Sequence, residues 1–325
     1  MGAGWLAKAA VVVCFLLWAT TSLAAAEDFS AWVEEFRAEA RAAGISAELL
    51  DRALADLTPL ERVIELDRRQ PEFTQTFEEY LARRVTDARV EEGRAMLARY
   101  PSWLNKIAEQ YGVQPRFIVA LWGLESNYGR HTGSFSIIQS LATLAYEGRR
   151  GAFFRNELLH ALKIVDAGHI SLERMTGSWA GAMGQAQFMP STFSNFAVDG
   201  DGDGRIDIWH SIPDVFASAA NYLSRHGWRD DQTWGRPVRL PKGFDASLAG
   251  LDQRKRLSEW QRLGVRRIDG RSLPTRDLQA SLLLPEGVDG PAYLVYDNFR
   301  VLLRWNRSNV FAVSVGLLAD RLVEP

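Results

Sequence analysis

Cysteine is almost missing from this chain: the 325 residues hold one, Cys14. It lies in an apolar run, Ala9 to Trp18, that follows Lys8 and leads through Ala24-Ala25-Ala26 to Glu27-Asp28. A basic residue, an apolar stretch and then small residues form the pattern of a secretory signal, expected to occupy residues 1–26 and to be removed. The run falls short of the ~20 residues that cross a bilayer comfortably, which ranks an uncleaved anchor second. Cys14 also lacks the Leu-small-small approach of a lipoprotein acceptor site. The mature chain is then free of cysteine, which excludes disulfides, thiolate metal sites and a cysteine nucleophile.

An excess of one charge is lacking too. The 38 Lys and Arg stand against 40 Asp and Glu, spread without long runs, so nothing argues for a nucleic-acid groove or a polybasic membrane patch. Histidine is sparse: His131, His160, His169, His210 and His226 show no paired zinc-ligand spacing. Internal repeats and low-complexity stretches are absent. What is present is 47% hydrophobic residues, enough for a packed core in two or three modest domains.

The pattern along the chain predicts a mainly α fold with a smaller β part, an α+β class. Residues 27–100 are charged, nearly free of glycine and periodic, with Trp32, Phe36, Ala40 and Ala43 at helical spacing, which predicts a helical hairpin or bundle. Residues 101–234 are richer in aromatics and glycine and are the expected seat of the chemistry. Residues 235–291 carry Pro-Val-Arg-Leu-Pro, scattered glycines and short apolar runs such as Ala280 to Leu284, which predict a small β-containing insert. Residues 292–325 open like a strand at Tyr293–Tyr296 and continue as a helical stripe through Phe311, Val315, Leu318 and Leu322, expected to pack on the core.

Pro115 suits the first position of a helix, where its missing N–H would be unpaired anyway. Phe117, Leu121 and Glu125 then share one face at i, i+4 and i+8. A carboxyl held against an apolar face is costly to ionise, and its raised pKa keeps it protonated as a general acid must be. Position alone admits a second reading: a helix-end carboxylate, solvated or paired with Arg130. The segment Ser178 to Ser191 is rich in Gly and Ala; it reads either as a tight helix contact or as backbone that comes close to a ligand, with Ser178 and Gln187 as uncharged polar groups.

Taken together, "GLESNYG", "GAMGQAQFMPSTF", "ANYLSRHGW" and "DNFRVLLRWNRSN", in that order, resemble the lytic murein transglycosylases of the MltB type, over roughly Phe29 to Leu322. The resemblance implies a lysozyme-like helical core. It also implies cleavage of peptidoglycan glycan strands between N-acetylmuramic acid and N-acetylglucosamine, leaving 1,6-anhydromuramoyl ends. By that resemblance Glu125 is the single catalytic acid/base. Ser178, Gln187, Tyr222 and Asn306 line the glycan site, and Arg149 and Arg150 match, less closely, an Arg pair that contacts the stem peptide. Tyr222 also reads as plain core, on one helix face with Val215 and Ala219. Trp305 stands where the family can have Tyr, and Phe311 near another frequent Tyr, so a hydroxyl contact is expected to be lost at each. Catalysis is expected to need no cofactor. The expected setting is the periplasm, with glycan strands as the partner, wall-synthesis proteins as candidates for further partners, and a monomer. A lysozyme-type hydrolase and a non-catalytic peptidoglycan-binding protein are the competing readings.

Asp199, Asp201 and Asp203 take positions one, three and five of an EF-hand-like loop, with Gly204 at six and the Arg205 carbonyl at seven. Position twelve, usually Glu, is His210. Asp214, past Pro213, resembles the residue that replaces it in family members. Three neighbouring carboxylates repel one another without a cation, which favours a structural calcium over a bare turn; sodium and no metal stay open.

Overall fold

The computed structural model describes residues 28–69 and 75–324; the expected signal sequence lies outside the described residues. The chain is mainly helical with a small antiparallel sheet, the class expected. In order come α1 (residues 28–42), α2 (Ala47–Ala53), α3 (Glu61–Arg68), α4 (Phe77–Arg84), α5 (Asp87–Arg99), α6 (Pro101–Tyr111) and α7 (Pro115–Ser126). There follow β1 (Phe135–Ser136), α8 (Ile137–Tyr146), α9 (Gly151–Asp166), β2 (Thr176–Gly177), α10 (Pro190–Phe196) and α11 (Ile212–Arg225). The chain ends with β3 (Gly235–Arg239), β4 (Arg254–Arg256), α12 (Leu257–Arg262), β5 (Arg266–Arg267), β6 (Gln279–Leu283), β7 (Ala292–Val295), α13 (Asp297–Trp305) and α14 (Asn309–Arg321). Among the described residues no helix is long and apolar enough to cross a membrane.

Two compact units cut across the segments read from the sequence. The first comprises described residues up to 69 with 133–183 and 188–194; the second comprises those from 75 to 132, 184–187 and 195–324. The helical region before residue 100 is thus divided, α1–α3 in the first unit and α4 and α5 in the second.

In the first unit α1 buries Phe29, Val33, Phe36 and Ala40, a stripe rotated from the one expected, because Ala43 already lies in the exposed turn that ends the helix. Trp32 instead stacks flat on Phe36 at 5.5 Å, under the Arg155 guanidinium. Helices α8 and α9 pack on each other and bury Leu141, Leu144, Leu158 and Leu162. The short β1–β2 ladder pairs Phe135 with Gly177.

The second unit is built round α7, whose residues Phe117 to Leu124 are all buried, with Pro115 at its first turn as expected. Helices α5, α6, α11 and α14 pack against it. A helix buried on every side must be apolar all round, and that is what this stretch supplies. The sheet has the order β4-β6-β7-β3-β5, all neighbours antiparallel. β7 pairs with both β3 and β6, so the sheet takes in residues beyond 291. Its core is Val238, Leu257, Trp260, Leu282 and Leu294. On α14 a side chain at Gly316 would meet the fully buried Trp234 ring, 2.1 Å from its Cβ, and Trp234 Nε1 donates to Asp320 at 2.9 Å.

Candidate active site

Glu125 occupies the last turn of α7. Asn127 and Tyr128 both follow in the left-handed region, at φ 51° and 58°, a conformation that costs a non-glycine residue free energy and persists only where its surroundings enforce it. Tyr128 supplies the enforcement. Its ring is buried where α7 and α5 expose backbone at Gly123 and Gly93, where an added Cβ would lie 2.6 and 2.5 Å from Tyr128 atoms. Its hydroxyl donates to the Arg89 carbonyl at 2.7 Å. The turn after Glu125 is thereby pinned, and the carboxyl with it.

The wall of the small pocket at this carboxyl is apolar: Ile118, Leu121 and Trp122 of α7, Val215 and Ala219 of α11, and Ala186. Burial pushes the Glu125 pKa up to about 7, opposed by a hydrogen bond from Trp305 and by the Arg84 guanidinium. The bond runs from Trp305 Nε1 to Glu125 Oε1 at 2.6 Å. A carboxyl poised near neutrality takes and gives a proton with comparable ease. The alternative pairing with Arg130 is not formed, since Arg130 bridges to Glu92 at 2.9 Å.

Tyr222 of α11 is buried, and its hydroxyl donates to the Arg304 carbonyl at 2.7 Å. Its ring meets the Trp305 indole edge-on at 5.0 Å. Asn306, next to Trp305, is exposed and accepts the Ser308 N–H at 3.1 Å. Gln187 follows the pocket residue Ala186 and is itself left-handed, φ 49°. Its amide nitrogen donates to the Thr132 and Gly184 carbonyls at 3.1 and 2.9 Å, which turns its carbonyl oxygen into the acceptor available to a ligand. The structure therefore brings Trp305 into direct contact with both Glu125 and Tyr222 in the second unit; in sequence Asn306 adjoins Trp305, and Gln187 adjoins the pocket residue Ala186.

The other predicted glycan and peptide residues lie in the first unit. Ser178 caps its own turn, its Oγ accepting the Ala182 N–H at 2.9 Å, and is partly exposed. Arg149 and Arg150 both reach Asp67, at 3.0 and 3.3 Å, while keeping 58% and 45% of their side chains exposed. A shared carboxylate that leaves two guanidinium groups half in water leaves donors free for an acidic ligand.

The acidic loop folds as its sequence requires. Oxygens of Asp199, Asp201 and Asp203 all lie within 4.8 Å of one another. Asp199 accepts the N–H groups of Gly202, Asp203 and Gly204, and these bonds, that of Gly204 foremost, hold its carboxyl below the usual range. Asp214 is buried, which pushes its pKa up. It joins the loop to α11 by accepting from Gly200 at 2.8 Å and from Asp207 at 2.6 Å. Arg205 turns its guanidinium to Asp207 at 3.5 Å. An all-oxygen set of this charge fits a hard cation of the calcium type.

Two contributors, Arg84 and Gln185, were not singled out from the sequence, and a third, Trp305, was singled out for a lost contact rather than for the one it makes. Arg84 reaches the site from the end of α4, and only the fold puts it beside α7. Gln185 is buried and links Trp122 Nε1 to the Trp209 carbonyl at 2.8 Å each. Trp305 gives the carboxyl a donor where a lost hydroxyl was expected; the signal was present, since an indole N–H also donates.

The family model for the Transglycosylase SLT domain matches residues 28–320. Membrane-bound lytic murein transglycosylase B of Escherichia coli (strain K12) is 33% identical over 255 residues, which cover 74% of this chain and 66%, just under two thirds, of that protein. SltB3 from Pseudomonas aeruginosa, in complex with NAG-anhNAM-pentapeptide, superposes with a TM-score of 0.87 at 51% identity, over 90% of this chain and 78% of that one. The Escherichia coli lytic transglycosylase SLT35 in complex with calcium gives 0.74 at 30% identity, over 89% and 92%.

Proposed function

The chain belongs to the family of lytic transglycosylases that carry the Transglycosylase SLT domain, and from that premise we propose that Glu125 is its single catalytic acid/base. The substrate is the β-1,4 bond between N-acetylmuramic acid and N-acetylglucosamine in peptidoglycan. Protonated Glu125 gives its proton to the glycosidic oxygen as the C1–O bond breaks, and the C2 acetamido oxygen of the muramic acid stabilises the positive charge at C1. The carboxylate so formed takes the proton of the C6 hydroxyl as that oxygen bonds to C1. Glu125 ends protonated, no water is consumed, and the product is a 1,6-anhydromuramoyl end.

The observation that carries this reading is a lone carboxyl in an apolar wall with its pKa raised to about 7. Ordinary glycosidases need a second carboxylate as nucleophile or base; among the described residues the one charged group acting on Glu125 is Arg84, a cation. A tethered hydroxyl removes the need, since its effective concentration far exceeds that of a free alcohol. The NAG-anhNAM ligand of the SltB3 complex supports the same product. In the second unit, Gln187 and Asn306 are the proposed sugar contacts, and Tyr222 supports the turn that carries Trp305. In the first, the proposed contacts are Ser178 to glycan and Arg149 and Arg150 to stem-peptide carboxylates. No cofactor takes part.

Asp199, Asp201, Asp203, the Arg205 carbonyl and Asp214 would hold a calcium ion, which would neutralise the loop's charge and brace it; the calcium complex of SLT35 supports this. The proposed setting is the periplasm, where the protein acts as a monomer and wall-synthesis proteins are candidate partners. Glu125→Gln tests the central assignment. The variant is expected to bind purified sacculi as wild type does and to lose at least about a hundredfold in cleavage rate; undiminished cleavage removes Glu125 from the role.

A further inference from the structure

The two oxygens of the Glu125 carboxyl are not equivalent. Oε1 accepts the Trp305 Nε1–H at 2.6 Å. An indole nitrogen only donates, so this bond cannot reverse its direction when Glu125 changes charge. The hydroxyl oxygen of a carboxylic acid is a weak acceptor and its carbonyl oxygen a strong one, so the acid that keeps this bond carries its hydrogen on the other oxygen. A tyrosine hydroxyl in the same place would donate or accept and would leave either oxygen open to the proton.

Trp305 is itself held. Its indole meets the Tyr222 ring edge-on at 5.0 Å, and the Tyr222 hydroxyl donates to the carbonyl of Arg304, the residue just before it, at 2.7 Å. The rest of the pocket lining is apolar, side chains of α7 and α11 with Ala186, and the cation acting on the carboxyl, Arg84 at the end of α4, directs its guanidinium to the Leu124 carbonyl at 3.4 Å. Among the described residues no titratable group of α5, α6 or α14 acts on the carboxyl.

We propose that Trp305 is a positioning residue that reserves Oε1 as an acceptor throughout the reaction, so that the proton given to the leaving oxygen and later recovered travels through Oε2 alone. This rests on the assignment of Glu125 as acid/base. It assigns the tryptophan a task in proton transfer beyond filling space beside Tyr222.

Two measurements on the full chain test it. With nitrogen-labelled tryptophan, the Trp305 indole N–H resonance is expected to titrate once, with a midpoint near that of Glu125. In Glu125→Gln, whose side-chain oxygen still accepts, it should remain hydrogen-bonded and flat with pH. Trp305→Phe keeps a ring against Tyr222 and removes the donor. Losing a bond that favours the carboxylate raises the Glu125 pKa, so the alkaline limb of kcat/KM is expected to move up by about one pH unit. The rate at the optimum is expected to fall roughly tenfold as the carboxyl loses its orientation. An indole resonance that ignores Glu125, or an alkaline limb unmoved in Trp305→Phe, overturns the proposal while leaving Glu125 as acid/base. Undiminished cleavage by Glu125→Gln overturns the assignment beneath it instead.

Discussion

At the scale of single residues, the proposed chemistry depends on a carboxyl that the fold holds away from water at some cost. The Glu125 pKa rises from 4.5 to about 7 on folding. A group whose folded pKa is raised contributes stability that is complete below the unfolded value and is lost as pH climbs through the folded one. Between pH 4.5 and 7 the protein is therefore expected to lose stability on account of this one side chain, by about 2 to 3 kcal/mol. Glu125→Gln removes the titration. At pH 8 the variant should unfold at higher denaturant concentration than wild type, with the two curves converging near pH 4.5; equal stability across that range contradicts the burial argument. The spacing of Phe117, Leu121 and Glu125 left the carboxyl's burial open, since a solvated helix end fitted it as well; the fold decides for burial, and the role proposed for Glu125 came from the motif rather than from the spacing. Trp305 was legible only in part. Its place in the late motif stood out, but its direction toward Oε1 depends on α13 meeting α7, and no spacing within either helix encodes that.

At the scale of elements, helix starts and stops were readable, because a proline, a cap or a left-handed residue acts locally. Pro115 opens α7 as its place in the sequence predicts. The stripe of α1 was misplaced by a partial turn, because Trp32 and Ala43 are as apolar as the residues that are buried, and the surrounding unit chooses among them. Whether Ser178 to Ser191 is a tight contact or a ligand site was also undecidable locally; Gln185 proves to be an internal tie and Gln187 faces outward in part. The clustering of Asp199, Asp201 and Asp203 was legible, because alternate aspartates among glycines turn within one short loop; what ion the loop holds, if any, was not. Its three carboxylates should repel one another without a cation. Calcium at a hundredfold excess over its Kd is expected to stabilise the protein by about 3 kcal/mol, raising Tm by several degrees. A chelator should reverse the rise and Asp203→Asn should abolish it. Identical melting with calcium and with chelator contradicts a site there.

At the scale of the whole molecule, the class was plain from composition and periodicity, whereas the grouping of segments was not. Residues 28–69 fold with 133–183 and 188–194, and the helices between them in sequence join the second unit. Long-range pairings of that sort leave no local trace. The strand of residues 292–295 shows the same limit: it looked like the head of a tail because β3 and β6, which it joins, lie far behind it in sequence. Even so, the chemistry at this scale reduces to one question, whether water or the sugar's own hydroxyl ends the reaction. Digestion of purified sacculi in heavy-oxygen water, with mass analysis of the released muropeptides, answers it directly. A single sheltered carboxyl serving both steps predicts anhydro ends, lighter by one water than reducing ends and free of the heavy isotope. Reducing ends that carry heavy oxygen at C1 from the moment of cleavage would contradict the account.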